Sequence, residues 1–307
     1  MDQLSIALVG CGIWGEVILR DLIKLGASVH VCDTDAGRQD VARRNGATAT
    51  YTSLSSLPAV DGVIVATPAT THTDVVLTLD ELGNESPIFV EKPLTETTED
   101  AQILVHRNGP PIFVMHIWTY HPGVRKLKKL IDSDLIGKPT MIRSTRANWT
   151  SPRIDVDALS NLAIHDLSIY QFLLGKIPKP RFAVFEKLDN KIVGCIASLE
   201  DEAGPNCVLE VSNRYGEKRR EVRVHGEYGV LVLLDDISGR VFLIKGGGHV
   251  VPEKVDEYPY ESVSALETEL DSFMNCIENN EFESLIDVEN GAKLVRVIED
   301  IRSMAFQ

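Results

Sequence analysis

The sequence predicts an α/β protein: an N-terminal doubly wound parallel sheet, followed by a C-terminal α+β domain on a mostly antiparallel, open sheet. Three observations carry this expectation. From residue 5 to about 115, short apolar β-rich runs alternate with helical patterns, as in a parallel sheet buried on both faces. The first run, Ile6 to Val9, leads into Gly10-Cys11-Gly12-Ile13-Trp14-Gly15 and then an amphipathic stretch from Glu16 to Leu25. After Gly175 several strand-like runs follow one another, joined by turn residues that suit antiparallel hairpins. A chain of 307 residues is long enough for two domains sharing a cleft, expected here over 1–118 and 119–307.

In order, the first half reads as a strand to Val9, a helix to Leu25, and a strand Ser28–Cys32 ending in Asp33. A helix from Arg38 to Asn45, an extended piece at 49–51 and a strand Gly62–Ala66 come next. Thr67-Pro68 turns into a helix from Thr73 to Leu82. A strand Ile88–Glu91 stops at Lys92-Pro93, a helix spans Glu96–His106, and Ile112–Met115 is the last strand. From about 117 the pattern changes. A basic helix Gly123–Ile131 precedes a strand Thr140–Ala147 and a helix Asn161–Leu174. Strands are expected at 181–187, 192–199, 207–212, 221–224, 229–234 and 241–244, with turns at Asp189-Asn190, Ala203-Gly204, Tyr215-Gly216 and Gly246-Gly247-Gly248. Helices Val263–Asn279 and Val288–Ala305 close the chain.

Composition excludes several classes. With 44% hydrophobic and 25% charged residues the balance is that of a globular protein. No run of about 18 apolar residues is present to span a membrane, and the N-terminus carries no basic-then-apolar leader. The five cysteines are scattered, odd in number and without metal-ligand spacing. They fit reduced thiols and a cytoplasmic location, with no metal expected. A net charge of −14 argues against nucleic acid as a partner.

In G-x-G-x-x-G, Gly10 allows the tight turn, Gly12 lets the backbone approach a pyrophosphate, and Gly15 lets helix and strand pack closely. Alone the pattern is weak. It gains weight because Asp33 ends the second strand about 20 residues on, where a carboxylate can hold ribose hydroxyls. Ligands in such sheets sit beyond the carboxyl ends of the strands. Gly10–Gly15, Asp33, Thr67-Pro68 and Glu91-Lys92 all fall at those ends. The charge of Asp33 disfavours a 2′-phosphate and so points to NAD; Arg38 and Arg43-Arg44 lie near enough in sequence to leave NADP open.

Lys92, followed by a proline that restricts it, is aimed by its backbone and can bond a substrate hydroxyl oxygen. His165, in a largely apolar helix, has the pKa range suited to taking a hydroxyl proton as hydride leaves. Spacing assigns no partner to His72, His116 or His121. Arg143, Arg146, Arg153 and the Lys126/Lys128/Lys129 helix offer local positive charge. The helix cluster reads as a solvated face, and strand parity puts Arg143 and Arg146 on opposite faces.

Taken together, Gly10–Gly15, Ala66-Thr67-Pro68 with His72, Glu91-Lys92-Pro93, Tyr120-His121-Pro122, and His165-Asp166 followed by Leu173-Leu174-Gly175 resemble the Gfo/Idh/MocA family of NAD(P)-dependent sugar oxidoreductases. The resemblance covers nearly the whole chain. It implies an N-terminal Rossmann domain, and a C-terminal sheet through which a homodimer or homotetramer forms. Gly10, Gly12, Ile13, Trp14, Gly15, Asp33, Thr67, Pro68, His72 and Glu91 would hold the cofactor. Lys92 and His165 would be the catalytic pair, with Tyr120, Arg146, Asn148 and Asn161 on the substrate. Residues 124–128, Arg146-Ala147-Asn148 and Asp155-Val156-Asp157 resemble a branch acting on nucleotide or amino sugars at carbon 3. The expected substrate is a carbohydrate, cyclitol or nucleotide sugar. The chain departs from the family pattern at Asn161, where an aspartate commonly precedes the histidine by one helical turn. Asparagine bonds a hydroxyl but neither accepts a proton nor stabilises an imidazolium by charge. Either His165 works with Lys92 alone, or turnover is weakened or lost. A non-catalytic NAD-sensing regulator and an NAD-dependent redox glycosidase are the alternatives.

Overall fold

The computed structural model describes residues 3–149, 157–202, 204–234, 239–246, 255–283 and 285–306. By contacts the chain falls into two compact units, Met1–Ile117 with Ser264–Val295, and Trp118–Val263 with Arg296–Gln307. Residues 264–295 thus go with the first unit rather than with the rest of the 119–307 stretch.

The first unit is built on β1 (Ser5–Val9), β2 (Ser28–Cys32), β3 (Ala49–Tyr51), β4 (Gly62–Val65), β5 (Ile88–Val90) and β6 (Ile112–Val114). All pair in parallel, in the order β3-β2-β1-β4-β5-β6. That is the doubly wound arrangement, with the crossover next to β1 opening a ligand crevice at the carboxyl ends of β1 and β4. The strands at its centre are continuously apolar because helices cover both faces. Those helices are α1 (Ile13–Lys24), α2 (Ala36–Arg44), α3 (His72–Glu81) and α4 (Thr98–His106). Asp35 starts α2 by accepting from the Arg38 amide, and Thr97 starts α4 by accepting from that of Asp100.

The returning segment completes this unit. In α7 (Ala265–Asn279), Phe273 stacks on Phe89 of β5 with ring centroids 4.7 Å apart. Gly62 opens β4 beneath it, where an added Cβ would meet Ile277 at 2.6 Å. The amide of Val114 donates to the carbonyl of Ile286 at 2.8 Å, and Phe282 stacks on Phe113. An edge strand leaves backbone groups unpaired, and this cover removes that liability at β6. Periodicity located the helix but carried no information about which sheet it covers.

The second unit holds α5 (Pro122–Asp132), β7 (Pro139–Trp149), α6 (Ile164–Leu174), β8 (Lys179–Leu188), β9 (Lys191–Glu200) and β10 (Asn206–Ser212). It continues with β11 (Arg214–Gly226), β12 (Gly229–Leu234), β13 (Arg240–Lys245) and β14 (Val255–Pro259). Their order is β14-β13-β12-β11-β7-β10-β9-β8. Only β7 with β10 is parallel among these pairs; the rest are antiparallel. The last helix, α8 (Val288–Ser303), carries the chain from one unit into the other.

Three elements differ from expectation. Tyr215-Gly216 is not a turn. β11 runs through it, paired with β7 across a register break between Arg214 and Arg219 that absorbs the extra residues as a bulge. β14, Val-Asp-Glu-Tyr-Pro, was not foreseen, because a short charged edge strand reads as loop. The helix expected from Asn161 opens two residues earlier, as a wider π turn at Leu159–Ala163. Arg153, Asp155, Val156, Ala203 and Gly247-Gly248 lie outside the described residues. No helix among the described residues is long and apolar enough to cross a membrane, and all five cysteines are buried and unbridged.

Phe273 is fully buried. Phe273→Ala is expected to cost about 3–5 kcal/mol, read as a lower urea midpoint. A loss under about 1 kcal/mol would contradict the packing of α7 on the parallel sheet.

Candidate active site

The chain leaves β1 through Gly10, at φ +92°. A Cβ on Gly10 would lie 2.8 Å from the Ala66 carbonyl carbon and the Thr67 nitrogen, so the turn touches the end of β4 backbone to backbone. A Cβ on Gly15 would lie 2.3 Å from the Gly10 oxygen, which is why α1 can seat so close to the strand. At Gly12 the same atom would meet nothing within 4 Å. Gly12 is the N-cap of α1 and supplies no side-chain cap. The helix therefore starts with open space over amides bearing partial positive charge, which suits a pyrophosphate. Ile13 and Trp14 stand at the surface beside it.

The Asp33 carboxylate is fixed by two backbone amides. Its Oδ2 accepts from the Cys11 amide at 2.7 Å and its Oδ1 from the Asp35 amide at 2.9 Å, leaving further lone pairs on both oxygens. These features fit a dinucleotide: Gly10, Gly12 and Gly15 shape a cradle in which the first amides of α1 would take the pyrophosphate and Asp33 the ribose. Thr67 and Pro68 follow β4, where the Thr71 hydroxyl ties their turn together.

His72, expected on the cofactor side, is buried beside the Thr67-Pro68 turn. It is 1% exposed, with Nδ1 3.0 Å from the Leu94 carbonyl and Nε2 2.9 Å from that of Thr67. Burial lowers its pKa, partly offset by those carbonyls. Its ring bridges the Thr67-Pro68 turn and the loop after Lys92.

Glu91 and Lys92 leave β5 partly buried, the Glu91 amide donating to the Val65 carbonyl, and the Lys92–Pro93 peptide is cis. Two buried titratable groups stand behind them. His116, after β6, is pushed down to about 3 by burial and by the charge of Lys92. Glu269, on α7, is fully buried, within reach of the Glu91 charge and of the His116 backbone N–H. Burial, then Glu91, raises its carboxyl well above the usual range. Burial thus works against the charged form of each group, lowering the imidazole's pKa and raising the carboxyl's. Sequence reasoning missed Glu269. The signal was present, since it interrupts the apolar face formed by Leu266, Leu270 and Phe273.

In the second unit, Trp118 gathers the polar residues. His165 meets its ring edge-on at 6.4 Å, His121 stacks on it at 4.9 Å, and the Arg146 guanidinium lies 4.1 Å from its centroid. Arg146 is buried and donates from Nε to Asp166 Oδ2 at 2.9 Å. Its charge is thus answered within the protein by the residue next to His165, which fixes both strand and helix. Arg220, opposite Arg146 in register, also lies over Trp118, at 5.4 Å. Arg143 is exposed, on the other face from Arg146. Tyr120 is buried under the Arg125 guanidinium. Asn148 and Asn161 are partly buried, one near the end of β7 and one in the π turn. Lys128 pairs with Asp132 along the outer face of α5. Trp118 carried no spacing signal that would have marked it, and the pairing of Asp166 with Arg146 was not foreseen.

Two predictions follow from these placements. Gly12→Ala is expected to keep the wild-type melting temperature yet lose NAD+ binding in calorimetry, whereas Gly15→Ala should lower both; equal behaviour of the two would contradict the cradle. Glu269 gains pKa on folding from an ordinary 4.5, so the native state binds its proton more tightly. Stability then falls as pH climbs above that value, by up to about 1.4 kcal/mol per unit, until the folded pKa is reached. Glu269→Gln is expected to gain on wild type in urea unfolding as pH rises above that ordinary value. A difference that does not change with pH would contradict a raised pKa for Glu269.

The family model described as the NAD-binding Rossmann fold of the oxidoreductase family matches residues 4–108, and that of its C-terminal alpha/beta domain matches residues 128–306. Inositol 2-dehydrogenase of Burkholderia lata is 27% identical over 295 residues, covering 89% of this chain and 86% of that protein. UDP-N-acetylglucosamine 3-dehydrogenase from Acidithiobacillus ferrooxidans superposes with TM-score 0.85 at 23% identity, covering 99% of this chain and 98% of that one. Levoglucosan dehydrogenase, solved with NADH and levoglucosan, gives TM-score 0.85 at 17% identity over 99% of this chain and 98% of that one. Matched over both parts, with the glycine cradle and ribose carboxylate in place, the chain belongs to the Gfo/Idh/MocA oxidoreductase family and is an NAD-binding member of it.

Proposed function

We propose that this protein transfers hydride between a secondary hydroxyl of a carbohydrate, cyclitol or nucleotide sugar and nicotinamide, with Lys92 and His165 acting at that hydroxyl. The observation that carries the reading is the cradle of Gly10, Gly12 and Gly15 with the anchored Asp33, in a chain of this family. The named relatives support the substrate class, since inositol, levoglucosan and the sugar of UDP-N-acetylglucosamine are all rings bearing several hydroxyls. When bound, NAD supplies the hydride acceptor. The Lys92 ammonium donates a hydrogen bond to the substrate oxygen and steadies the negative charge that grows there. A ring nitrogen of His165 takes the hydroxyl proton. Trp118 holds the imidazole edge-on, and Asp166, committed to Arg146, leaves proton transfer to His165. Tyr120, Arg146, Asn148 and Asn161 shape the sugar site, Asn161 as a neutral hydrogen-bonding group.

The outer face of the second sheet carries Phe182, Val184 and Ile196, all exposed, and we assign self-association to it. The enzymatic reading is tested by following the near-ultraviolet absorbance of reduced nicotinamide against a panel of free sugars, inositols and UDP-sugars. A substrate-dependent signal is expected, falling about 10²–10⁴-fold in Lys92→Ala and in His165→Ala while NAD+ still binds. A flat panel with NAD+ binding intact would replace this reading with an NAD-sensing regulator, which the neutral Asn161 favours. Full activity in Lys92→Ala would remove the lysine from the chemistry.

A further inference from the structure

A second ion pair borders the ribose carboxylate and takes no part in the cradle. Glu16 stands in the first turn of α1 and Arg38 near the start of α2; Arg38 Nη1 lies 2.7 Å from Glu16 Oε1. The Cys11 thiol, inside the glycine turn, feels the charges of Glu16, Asp33 and Arg38 together. The Cys11 amide is itself bonded to Asp33 Oδ2 at 2.7 Å, which ties the glycine turn to that carboxylate. The backbone beneath them is fixed: Asp35 accepts from the Arg38 amide at 2.9 Å, and the Gln39 side chain donates to the Asp33 carbonyl at 2.8 Å. What remains variable is the direction of the Arg38 guanidinium, and Glu16 sets it.

NADP differs from NAD by a phosphate on the ribose oxygen that Asp33 would otherwise hold, bringing about −1.5 to −2 charges at pH 7. Doubly wound proteins that accept that phosphate place an arginine nearby to receive it. Arg38 is such an arginine by position, but its guanidinium is bonded to Glu16. Turning to a phosphate would break that bond and leave the Glu16 carboxylate beside a dianion. We propose that Glu16 is a specificity-determining residue that withholds Arg38 from the 2′-phosphate. NAD is then selected by two carboxylates, Asp33 by repulsion and Glu16 by occupying a cation placed to offset it. The side chains are 31% and 41% exposed, so the pair adds little to stability and its removal is expected to be tolerated.

The test reads binding and is independent of the substrate and of Lys92 and His165. The purified full-length chain is titrated with NAD+ and with NADP+ by calorimetry, with melting temperatures measured alongside to show that each variant is folded. Glu16→Gln is expected to tighten NADP+ binding about tenfold, the scale of one charge-assisted hydrogen bond, and to leave NAD+ within about twofold. Arg38→Gln alone should keep the wild-type preference, and the double variant should lose the gain. An unchanged NADP+ affinity in Glu16→Gln overturns the proposal. So does a gain that survives in the double variant, since it would come from removing a negative charge and not from releasing Arg38. A wild-type chain that binds NADP+ as tightly as NAD+ overturns it at the outset.

Discussion

The first unit depends on a near-contact of backbone with backbone. Between Gly10 and Gly15 there is no room for a methyl group, and between Gly10 and the end of β4 there is little more. This closeness aims the first turn of α1 along the strand axis and puts the Cys11 amide where the Asp33 carboxylate can accept from it. The anion site and the ribose site are thus two results of one steric constraint. A side chain at either glycine would have to move a strand or a helix, not merely a rotamer.

Electrostatics is then arranged around a small number of permitted charges. The Lys92 charge and burial lower the pKa of His116, while burial and the Glu91 charge raise that of Glu269, so both buried groups are pushed toward their uncharged forms. In the second unit the choice is opposite. Arg146 is buried with its counter-ion in direct contact, and His165 sits beside that closed pair on the edge of Trp118. Removing one partner of a buried pair leaves a stranded charge, a strong constraint on either residue. Both arrangements separate the groups that hold structure from those left to act on a ligand.

What could be read from the sequence was short-range or strictly periodic. The glycine turn, Asp33 and the strand-end Lys92 declare themselves within about 20 residues, because turn chemistry and strand ends are local. The alternation of Arg143 and Arg146 was equally plain from strand parity. The rest needed the third dimension. Asp166 could be seen beside His165, but its partnership with Arg146, twenty positions earlier on a strand, could not. His72 was legible as a polar residue at the cofactor edge, not as a staple with both nitrogens facing carbonyls. Tyr215-Gly216 carried turn chemistry, yet pairing with β7 overrode it. Glu269 alone left a readable trace, an acid on an apolar helical face.

The return of residues 264–295 to the first sheet bears on how the polypeptide is made. Synthesis proceeds from the N-terminus, and the six strands that carry the glycine turn are complete while more than half the chain is still to come. Until α7 emerges, Phe89 and the strand face around Gly62 have no cover, and β6 presents an open edge. The nascent first unit is thus a sticky intermediate until residues 264–295 have followed β6 from the ribosome. A fragment ending near residue 118 would be left permanently in that state, and the cell's chaperones would meet it as unfinished protein.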